Sequence, residues 1–237
     1  MNDLEIFLKP TQNDINDIEQ WLEAEYKKSR SGFYTDRDVL EQSFRDKTLI
    51  ILKMNGKAVS FIAWKCYAEH TAKISIAETH PDFRRKGFAR ILLNALISCF
   101  QKNDIHVIDL QTNSDQSETT WKHLGFTEFP EDKKLEEKEL FKVIVPVPEF
   151  DNLAGAETLE LWHMDTHAIS GVDPNASWNL SFIDNSRILQ TPIVYPAHYD
   201  WHLCWKKGGE IAYEGRLKRF PTLISFGRFM IIKNLSE

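Results

Sequence analysis

The sequence predicts a protein of the α/β (α+β) class, with a helix-flanked sheet over residues 1–148 and a small, mostly β domain over 149–237. Three observations predict this division. Up to about residue 145, strand-like runs alternate with runs that have the apolar period of helices. The segment VPVPEFDN, residues 145–152, holds two prolines and is the predicted boundary. Beyond it, short β-type runs separated by glycine and proline replace the helical patterns.

The first elements show both patterns in turn. LEIFLK (4–9) alternates as a strand does, and the segment 11–27 has the apolar spacing of a helix. A second helix is predicted to begin at Asp36. Two strand-like runs then flank Asn55-Gly56, which is the strongest short signal for a β-hairpin. A further strand is predicted in AKISIAET (72–79).

The longest amphipathic pattern lies at residues 87–103. Its apolar residues recur at positions 88, 91, 92, 95, 96 and 99, which predicts a helix with one buried face. HVIDLQT (106–112) follows as a strand, and SDQSETTWKHLGF (114–126) as a short helix that ends at Gly125. Residues 127–145 are predicted to form two strands around the charged run EDKKLEEKE, which is a solvated hairpin tip.

The C-terminal part has a different composition. Four of the seven tryptophans and four of the eight histidines lie in 149–237. Gly208-Gly209 lies between two β-type runs, as a hairpin turn does. The β-type runs are WNLSFI, TPIVYP, DWHLCW, EIAYEG and TLISFGRFMII. These features predict a small, mostly β domain.

Composition narrows the classes of function. The formal net charge is −6 and the pI is about 5.8, so a nucleic-acid partner, which requires a clustered basic face, is not expected. No run approaches the ~18 apolar residues that a membrane span requires. We therefore expect a cytoplasmic protein without a membrane partner. An odd number of cysteines in apolar runs (Cys66, Cys99 and Cys204) predicts reduced, buried thiols.

The stretch HPDFRRKGFAR (80–90) concentrates positive charge where a helix begins. A helix N-terminus has unpaired N–H groups and a positive dipole end, so it attracts anions. Gly87 allows a phosphate to approach the backbone closely, and Ala89 keeps the first turn free of bulk. Arg84, Arg85 and Lys86 add charge at the rim. The stretch therefore predicts a phosphate-binding loop, although it is not a Walker loop, because GxxxxGK[ST] is absent.

Two motifs in this order resemble a known family. RRKGFA (84–89), between a strand and an amphipathic helix, and WKHLGF (121–126) downstream are similar to the acyl-CoA-binding motifs of the GNAT superfamily of N-acetyltransferases. The resemblance covers about residues 3–148. It implies a mixed central sheet flanked by helices and acetyl-CoA as the co-substrate.

The resemblance also implies positions for acetyl-CoA. The pyrophosphate would bind the N–H groups from Arg85 to Ala89, a segment that includes Lys86, Gly87 and Phe88, with Arg84 as the first residue of the motif. Pantetheine would lie beside Ala77 and Thr79. A backbone N–H near Glu78 or Thr79 would polarise the thioester carbonyl.

The resemblance implies a carboxylate base as well. Asp109 is the first candidate and Glu78 the second, while a strand-end carboxylate that pairs with a neighbour is the alternative for Asp109. Many relatives carry a tyrosine where this chain has Trp121, and an indole N–H cannot usefully donate a proton to the leaving thiolate. Ser114, Ser117 or a tyrosine from elsewhere could serve instead.

The acceptor is expected on the side lined by the loop 29–37 and the 127–145 hairpin. Tyr34 either contacts the acceptor or packs on the core. The predicted activity is transfer of an acetyl group to a small-molecule or protein amine, in a ternary complex. The alternative is a catalytically silent acyl-CoA-binding or interaction module. The β domain would cover the acceptor side or mediate self-association, as in a homodimer.

Two short patterns of histidine remain outside this scheme. HMDTH (163–167) and HYDWH (198–202) share the spacing H-x-D-x-H, which on a strand would place each trio on one face. Together they could bind a divalent metal. Alternatively, both are polar faces of strands, and no metal is expected.

Overall fold

The computed structural model describes residues 3–30, 32–131, 138–145, 157–165, 169–184, 186–224 and 228–235. Two compact units divide the chain: Met1–Thr127 with Leu140–Ile144, and Glu128–Glu139 with Val145–Glu237. Most of the predicted boundary at 145–152, most of the charged hairpin tip and His167 lie outside the described residues. The domain limits of 1–148 and 149–237 thus stay a prediction. None of the described helices is both long and apolar enough to cross a membrane.

Four helices and one seven-stranded sheet make up the N-terminal part of the fold. The helices are α1 (Gln12–Ser29), α2 (Arg37–Arg45), α3 (Phe88–Lys102) and α4 (Asp115–His123). The strands are β1 (Leu4–Phe7), β2 (Leu49–Met54), β3 (Lys57–Ala68), β4 (Thr71–Thr79), β5 (Val107–Gln111), β6 (Thr127–Glu128) and β7 (Glu139–Val143). Their order in the sheet is β1-β2-β3-β4-β5-β7-β6. β1 to β4 pair antiparallel and β4 pairs with β5 in parallel, so the predicted mixed sheet is confirmed.

The β2–β3 turn shows how local sequence fixes part of this sheet. Asn55 and Gly56 have φ values of 52° and 80°, as the two central residues of a type I′ turn require. Met54 pairs with Lys57 directly across the turn. The hairpin predicted from the Asn-Gly pair is therefore present, and it sets the register of the two central strands.

Helices cover both faces of the sheet. Ile15, Ile18 and Leu22 of α1 and Leu40 of α2 pack with Phe61 of β3 in one buried cluster. The α3 helix packs on the opposite face, in a cluster that contains alternate residues of β3, β4 and β5. Membership of one cluster or the other thus shows on which face of the sheet a residue of β4 or β5 lies.

The buried face of α3 differs from the predicted one. Phe88, Leu92 and Leu96 are buried as expected, but Leu93 is also buried, whereas Ile91 is 37% exposed. The core-facing side is thus centred nearer positions 93 and 100 than positions 91 and 99. In the sequence, apolar residues border the predicted buried face of α3 on both sides, with Ile91 on one side and Leu93 on the other. The pattern therefore did not show which of the two sides would be buried.

β4 runs beyond its pairing with β5. The parallel register extends from Thr71 opposite Val107 to Lys73 opposite Asp109. β4 itself continues to Thr79, so its last six residues lie past the end of this ladder. This part of β4 leads directly into the stretch that carries the three cations.

The second unit is mostly β, as predicted. Its strands are β8 (Glu157–Trp162), β9 (Ala176–Asn179), β10 (Ile188–Pro196), β11 (His202–Lys207), β12 (Glu210–Arg216), β13 (Leu223–Ile224) and β14 (Phe229–Asn234). They form one sheet in the order β12-β11-β8-β9 and another in the order β10-β14-β13. Gly208 and Gly209, both with positive φ, turn the chain between β11 and β12. Apolar residues of both sheets form one core.

A buried ion pair joins separate segments of this unit. Arg187 donates to both carboxylate oxygens of Glu157 at 2.8 Å, and the indole N–H of Trp205 donates to the same carboxylate at 3.0 Å. The Arg187 hydrogen bonds, more than the opposing burial, hold the pKa of Glu157 below its usual value. The charged form of Glu157 is therefore the one that the fold stabilises.

The prediction of three buried thiols was right only for Cys204. Cys204 is buried and Cys99 is partly exposed, whereas Cys66 is exposed. Cys66 lies on β3 after the strand leaves the fully buried centre of the sheet. An apolar run in the sequence does not show where along a long strand the burial ends.

Candidate functional site

The loop between β4 and α3 has the backbone of an anion-binding site. Pro81–Phe83 form one 3-10 turn, and Arg85 then takes a left-handed conformation, with φ of 62°. Gly87 is the N-cap of α3, with φ of 81°. No acidic residue lies in the first turn of α3. The first N–H groups of a 15-residue helix therefore point outward with no carboxylate of that turn to compete for them.

Gly87 shows that this loop leaves space for a ligand. A Cβ at Gly87 would meet no other atom within 4 Å. Its positive φ is unfavourable for any residue with a side chain. The position thus combines an open approach to the helix N-terminus with a backbone that favours glycine.

The three cations of the loop differ in their contacts. Arg84 Nη2 lies 2.6 Å from Oε1 of Glu25 and 3.1 Å from Oε1 of Glu78. Lys86 Nζ lies 4.8 Å from the centre of the Phe83 ring. Arg84 therefore forms ion pairs with two carboxylates of its own unit, and it is less available to an anion than the sequence predicted.

Glu78 lies on the face of the sheet that α1 and α2 cover, because its partner across β3 is Phe61 of that core. Its side chain is only 18% exposed. Burial raises the pKa of Glu78, and the positive charge of Arg84 opposes this shift. Glu78 is therefore a carboxylate that holds a proton more readily than an exposed one does.

The outer edge of β4 presents few free backbone groups near the side chains of Glu78 and Arg84. The N–H of His80 donates to Val59 of β3, so by alternation the backbone groups of Glu78 also face β3, and those of Ala77 and Thr79 face away. Thr79 N–H donates to Oε1 of Glu78 at 3.1 Å, and its carbonyl accepts from the Nε of Arg84 at 3.0 Å.

This pattern changes the expected position of the polarising N–H. The N–H of Glu78 points toward β3, and side chains occupy both edge groups of Thr79. The N–H of Ala77 faces the outer edge of β4 beyond the β4–β5 ladder. Ala77 is thus the better placed donor, because its N–H points toward the gap that opens past Lys73 and Asp109.

Asp109 lies on β5 and is 2% exposed. Its neighbours Ile108 and Leu110 belong to the α3 core, so alternation places Asp109 on the opposite face, the one that also carries Glu78. The hydroxyl of Tyr67 donates to Oδ2 of Asp109 at 2.9 Å. This contact agrees with the alternative of a strand carboxylate that pairs with a neighbour, and it also adds a tyrosine to the candidate site.

The two candidate bases occupy different positions along the cleft. Asp109 is opposite Lys73, and Glu78 lies five residues farther along β4. At about 3.3 Å per residue, this separation is roughly 16 Å. One acceptor nitrogen therefore cannot contact both carboxylates directly.

Tyr67 was not among the residues that the sequence predicted for the site. It is 42 residues from Asp109 and lies at a register irregularity between Cys66 and Ala68. A bulge re-aims a side chain, and no local pattern marks its position in this strand.

Trp121 and Ser114 have structural contacts. The Trp121 ring meets Phe126 edge-on at 5.1 Å and packs against the α3 core. Ser114 caps α4, because its hydroxyl accepts the N–H of Ser117 at 3.1 Å. These contacts account for both residues without a ligand, and their expected roles at the leaving group stay predictions.

Tyr34 begins a 3-10 turn before α2. Its ring lies 5.6 Å from that of Tyr26, with the guanidinium of Arg37 5.8 Å from the ring centre. The side chain packs against the core of α1 and α2. These contacts favour the core-packing interpretation, and a contact with an acceptor stays a prediction.

The two H-x-D-x-H patterns, 163–167 and 198–202, do not lie along strands in the described residues. β8 ends at Trp162, before the first pattern, and β11 begins at His202, the last residue of the second. His167 lies outside the described residues. The expectation of one shared face per trio was therefore wrong, because the chain turns at both places.

The carboxylates of these patterns bind cations of the protein. Arg216 Nε donates to Asp165 at 2.9 Å, and Lys218 lies 2.6 Å from Asp200. A carboxylate held in an ion pair is a poorer metal ligand than a free one, since the metal must displace the cation. These contacts count against a metal site at either carboxylate, and His202 of the second pattern is fully buried, so the alternative of two polar strand faces does not describe it either.

Comparisons with known structures agree with the first unit. A GNAT-family acetyltransferase from Staphylococcus aureus Mu50 is 13% identical, with a TM-score of 0.50 over 60% of this chain and 99% of that chain. A GNAT-family acetyltransferase from Brucella melitensis, solved with acetyl-CoA, is 12% identical, with a TM-score of 0.48 over 64% of this chain and 95% of that chain. The first of these likenesses shows the GNAT fold.

Sequence comparisons identify the family. An uncharacterized N-acetyltransferase of Methanocaldococcus jannaschii is 24% identical over 132 residues, which is 50% of this chain. The chain spans 58% of the length of this curated relative. Residues 30–149 match the family described as "Increased DNA methylation 1, C-terminal domain". Because this match covers just over half of the 237 residues, the chain belongs to that family, and its first unit has the GNAT acetyltransferase fold.

Proposed function

We propose that the first unit transfers an acetyl group from acetyl-CoA to a primary amine by direct attack in a ternary complex. One observation carries this proposal. The unpaired edge of β4 leads within a few residues into the Gly87 loop at the N-terminus of α3. A long, thin ligand with a phosphate group in its middle can bind along both features at once.

The residues present fit acetyl-CoA. The N–H groups at the start of α3, with the open space at Gly87, would hold the pyrophosphate. The outward N–H of Ala77 would donate to the thioester carbonyl and stabilise the negative charge that develops there. When bound, acetyl-CoA supplies an activated acetyl thioester.

A base is required because the acceptor arrives protonated. A lysine-like amine has a pKa near 10.4, so only about one part in 10³ is neutral at pH 7. Asp109, held by the Tyr67 hydroxyl, is the proposed base. It would act through bridging water, because its partner Lys73 is four residues, roughly 13 Å, from Ala77 along β4. Glu78, next to Ala77, is the second candidate. The amine nitrogen then bonds to the thioester carbon, the carbon–sulfur bond breaks, and the thiolate departs.

The thiolate can depart without an acid at Trp121. A thiol with a cysteine-like pKa near 8.5 is a moderate leaving group near neutral pH. The partly buried Trp121 ring therefore does not prevent the reaction.

The charge of the cleft favours a cationic acceptor. When both are ionised, Glu25 and Glu78 share the single guanidinium of Arg84, which leaves one negative charge in excess. This excess attracts an ammonium group to the face that carries α1 and α2. A small-molecule amine and a protein amine both satisfy this requirement.

A second candidate function rests on Trp121. Many GNAT relatives are expected to carry a tyrosine at the position of Trp121. Because the Trp121 indole packs against the core instead, the unit could bind acyl-CoA without turnover. In that case the protein would sense acyl-CoA or present it to another protein.

A thiol-release assay distinguishes the two functions. The full-length protein is given acetyl-CoA with a panel of amines that includes polyamines, free lysine and peptides with lysine or a free N-terminus, and acetyl-CoA binding is measured in parallel by calorimetry. Amine-dependent release of CoA supports the acetyltransferase. Binding without release across the panel supports the silent module, and the absence of both binding and release contradicts both proposals.

A further inference from the structure

Three polar side chains from two separate segments meet at the end of β4 away from the Gly87 loop. His70 lies in the β3–β4 turn, Asp104 follows α3, and His106 precedes β5. Asp104 Oδ2 lies 3.2 Å from His70 Nδ1, and its Oδ1 lies 3.2 Å from His106 Nε2. One donor atom from each residue lies within 4.8 Å of the other two.

The burial of this cluster fits an ion that enters from solvent. The side chains of His70 and His106 are 10% and 9% exposed, and their rings stack at 4.9 Å. Asp104 is 54% exposed and closes the open side. The two imidazoles are thus held in place by packing, whereas the carboxylate can adjust to a bound ion.

The backbone at two of the three residues is strained. His70 has φ of 60° and Asp104 has φ of 58°, in the left-handed region that favours glycine. Glycine would satisfy both turns at lower cost. His and Asp are among the residues other than glycine that adopt this conformation most readily, so both turns hold their side chains at the cluster.

Backbone contacts fix the histidines relative to each other. His106 N–H donates to the carbonyl of His70 at 2.8 Å. His70 Nδ1 also lies 2.7 Å from the carbonyl oxygen of Asp104, a hydrogen bond that a metal bound at Nδ1 would replace. Glu69 Oε1 lies 3.4 Å from the other ring nitrogen, Nε2, and is an acceptor for a proton there.

We propose that His70, Asp104 and His106 form a binding site for a divalent transition metal ion of the zinc class. Two imidazoles and a carboxylate are donors that zinc accepts, at about 2.0–2.2 Å. Ligand atoms around a tetrahedral ion at that distance lie roughly 3.3 Å apart. The two histidine–carboxylate separations are close to this value, at 3.2 Å, and all three donor atoms lie within 4.8 Å of one another. The ion would connect the β3–β4 turn to the α3–β5 connection.

Zinc binding to the full chain tests this proposal. The protein, freed of affinity tags and treated with a chelator that is then removed, is titrated with Zn²⁺ by calorimetry at pH 7.5 and pH 5. We expect one equivalent bound at the higher pH and weaker binding at pH 5, because protonated histidine cannot bind a metal. At a 100-fold excess over the Kd, the melting temperature should rise by about 5–11 °C.

Substitutions locate the ion. His70→Asn and Asp104→Asn tolerate the left-handed backbone and should each weaken Zn²⁺ binding by at least about 10-fold. His198→Asn is the matched control, because His198 is an exposed histidine beside Asp200 in the second unit. Retention of wild-type affinity in both cluster variants, loss of binding in His198→Asn, or no Zn²⁺ binding at pH 7.5 would each overturn the proposal.

Discussion

Gly87→Ala tests the acetyl-CoA site most directly, because the chain offers a matched control. Gly87 and Gly56 have nearly equal φ values of 81° and 80°, and a Cβ at either position meets no atom within 4 Å. Alanine at both positions therefore carries the same backbone strain without a clash. Only Gly87 lies at the N-terminus of α3, whereas Gly56 lies in the β2–β3 turn.

The expected effects on stability are equal. An L-residue in the left-handed region costs about 1–2 kcal/mol. For a protein of this size, such a loss lowers the melting temperature by about 2–8 °C. Gly87→Ala and Gly56→Ala should both show this decrease in thermal unfolding, and both should keep the wild-type circular dichroism spectrum.

The expected effects on binding differ. The new methyl group of Gly87→Ala would occupy the space where a phosphate approaches the first N–H groups of α3. Loss of one hydrogen bond to a charged group costs about 1.5–3 kcal/mol, so the acetyl-CoA Kd should rise about 10- to 150-fold. Gly56→Ala should bind acetyl-CoA as the wild type does. Calorimetric titration measures both, and an equal Kd for the two variants would refute the location of the pyrophosphate.

Three further predictions concern charged side chains. Asp109→Asn should lower the rate of acetyl transfer about 10²–10⁴-fold, and Tyr67→Phe should lower it about 2- to 10-fold. The acetyl-CoA Kd should be unchanged in both variants. If both variants released CoA at the wild-type rate, this pair would have no part in the mechanism. Arg84→Gln should lower the free energy of unfolding by about 1–3 kcal/mol, because it leaves two carboxylates without their cation. Lys86→Gln should instead weaken acetyl-CoA binding about 2- to 5-fold at low salt with little change in unfolding; the opposite assignment would contradict the contacts of the loop. Glu157→Gln should destabilise the protein by about 1–3 kcal/mol at pH 7, and because the pKa of Glu157 is lowered in the folded state, this difference should close as pH falls below about 4. Urea unfolding at both pH values measures it, and a difference independent of pH would exclude the charge as its source.

Local patterns predicted much of the first unit. The Asn55-Gly56 turn and the αL glycine after α4 follow from backbone preferences that act within a few residues. The Gly87 loop was also visible, because glycine, the cations and the amphipathic helix are adjacent in the chain. Such features depend little on the rest of the fold.

Contacts between distant residues were not predictable in the same way. Arg84 is 59 residues from Glu25, and Tyr67 is 42 from Asp109. Composition and period do not encode which of many surface charges will meet. For this reason the sequence predicted Arg84 at the pyrophosphate but did not predict its ion pairs with Glu25 and Glu78.

The proposed metal site of His70, Asp104 and His106 could not be predicted from the sequence either. His70 is separated by 34 residues from Asp104, and Asp104 is two residues before His106. The H-x-D-x-H patterns of the second unit were more conspicuous, although their carboxylates bind cations of the protein. Spacing along the chain therefore drew attention to histidines other than those that meet in space.

The side chains that cover Thr79 have a consequence for the solubility of the protein. An unpaired strand edge is a template on which another chain can add a strand, and this is how many proteins aggregate. Glu78 and Arg84 occupy the outward N–H and carbonyl of Thr79, so a peptide strand could not continue its pairing past Ala77. The edge of β4 thus remains accessible to a slender ligand with few amide groups, while it resists strand addition from a neighbouring molecule.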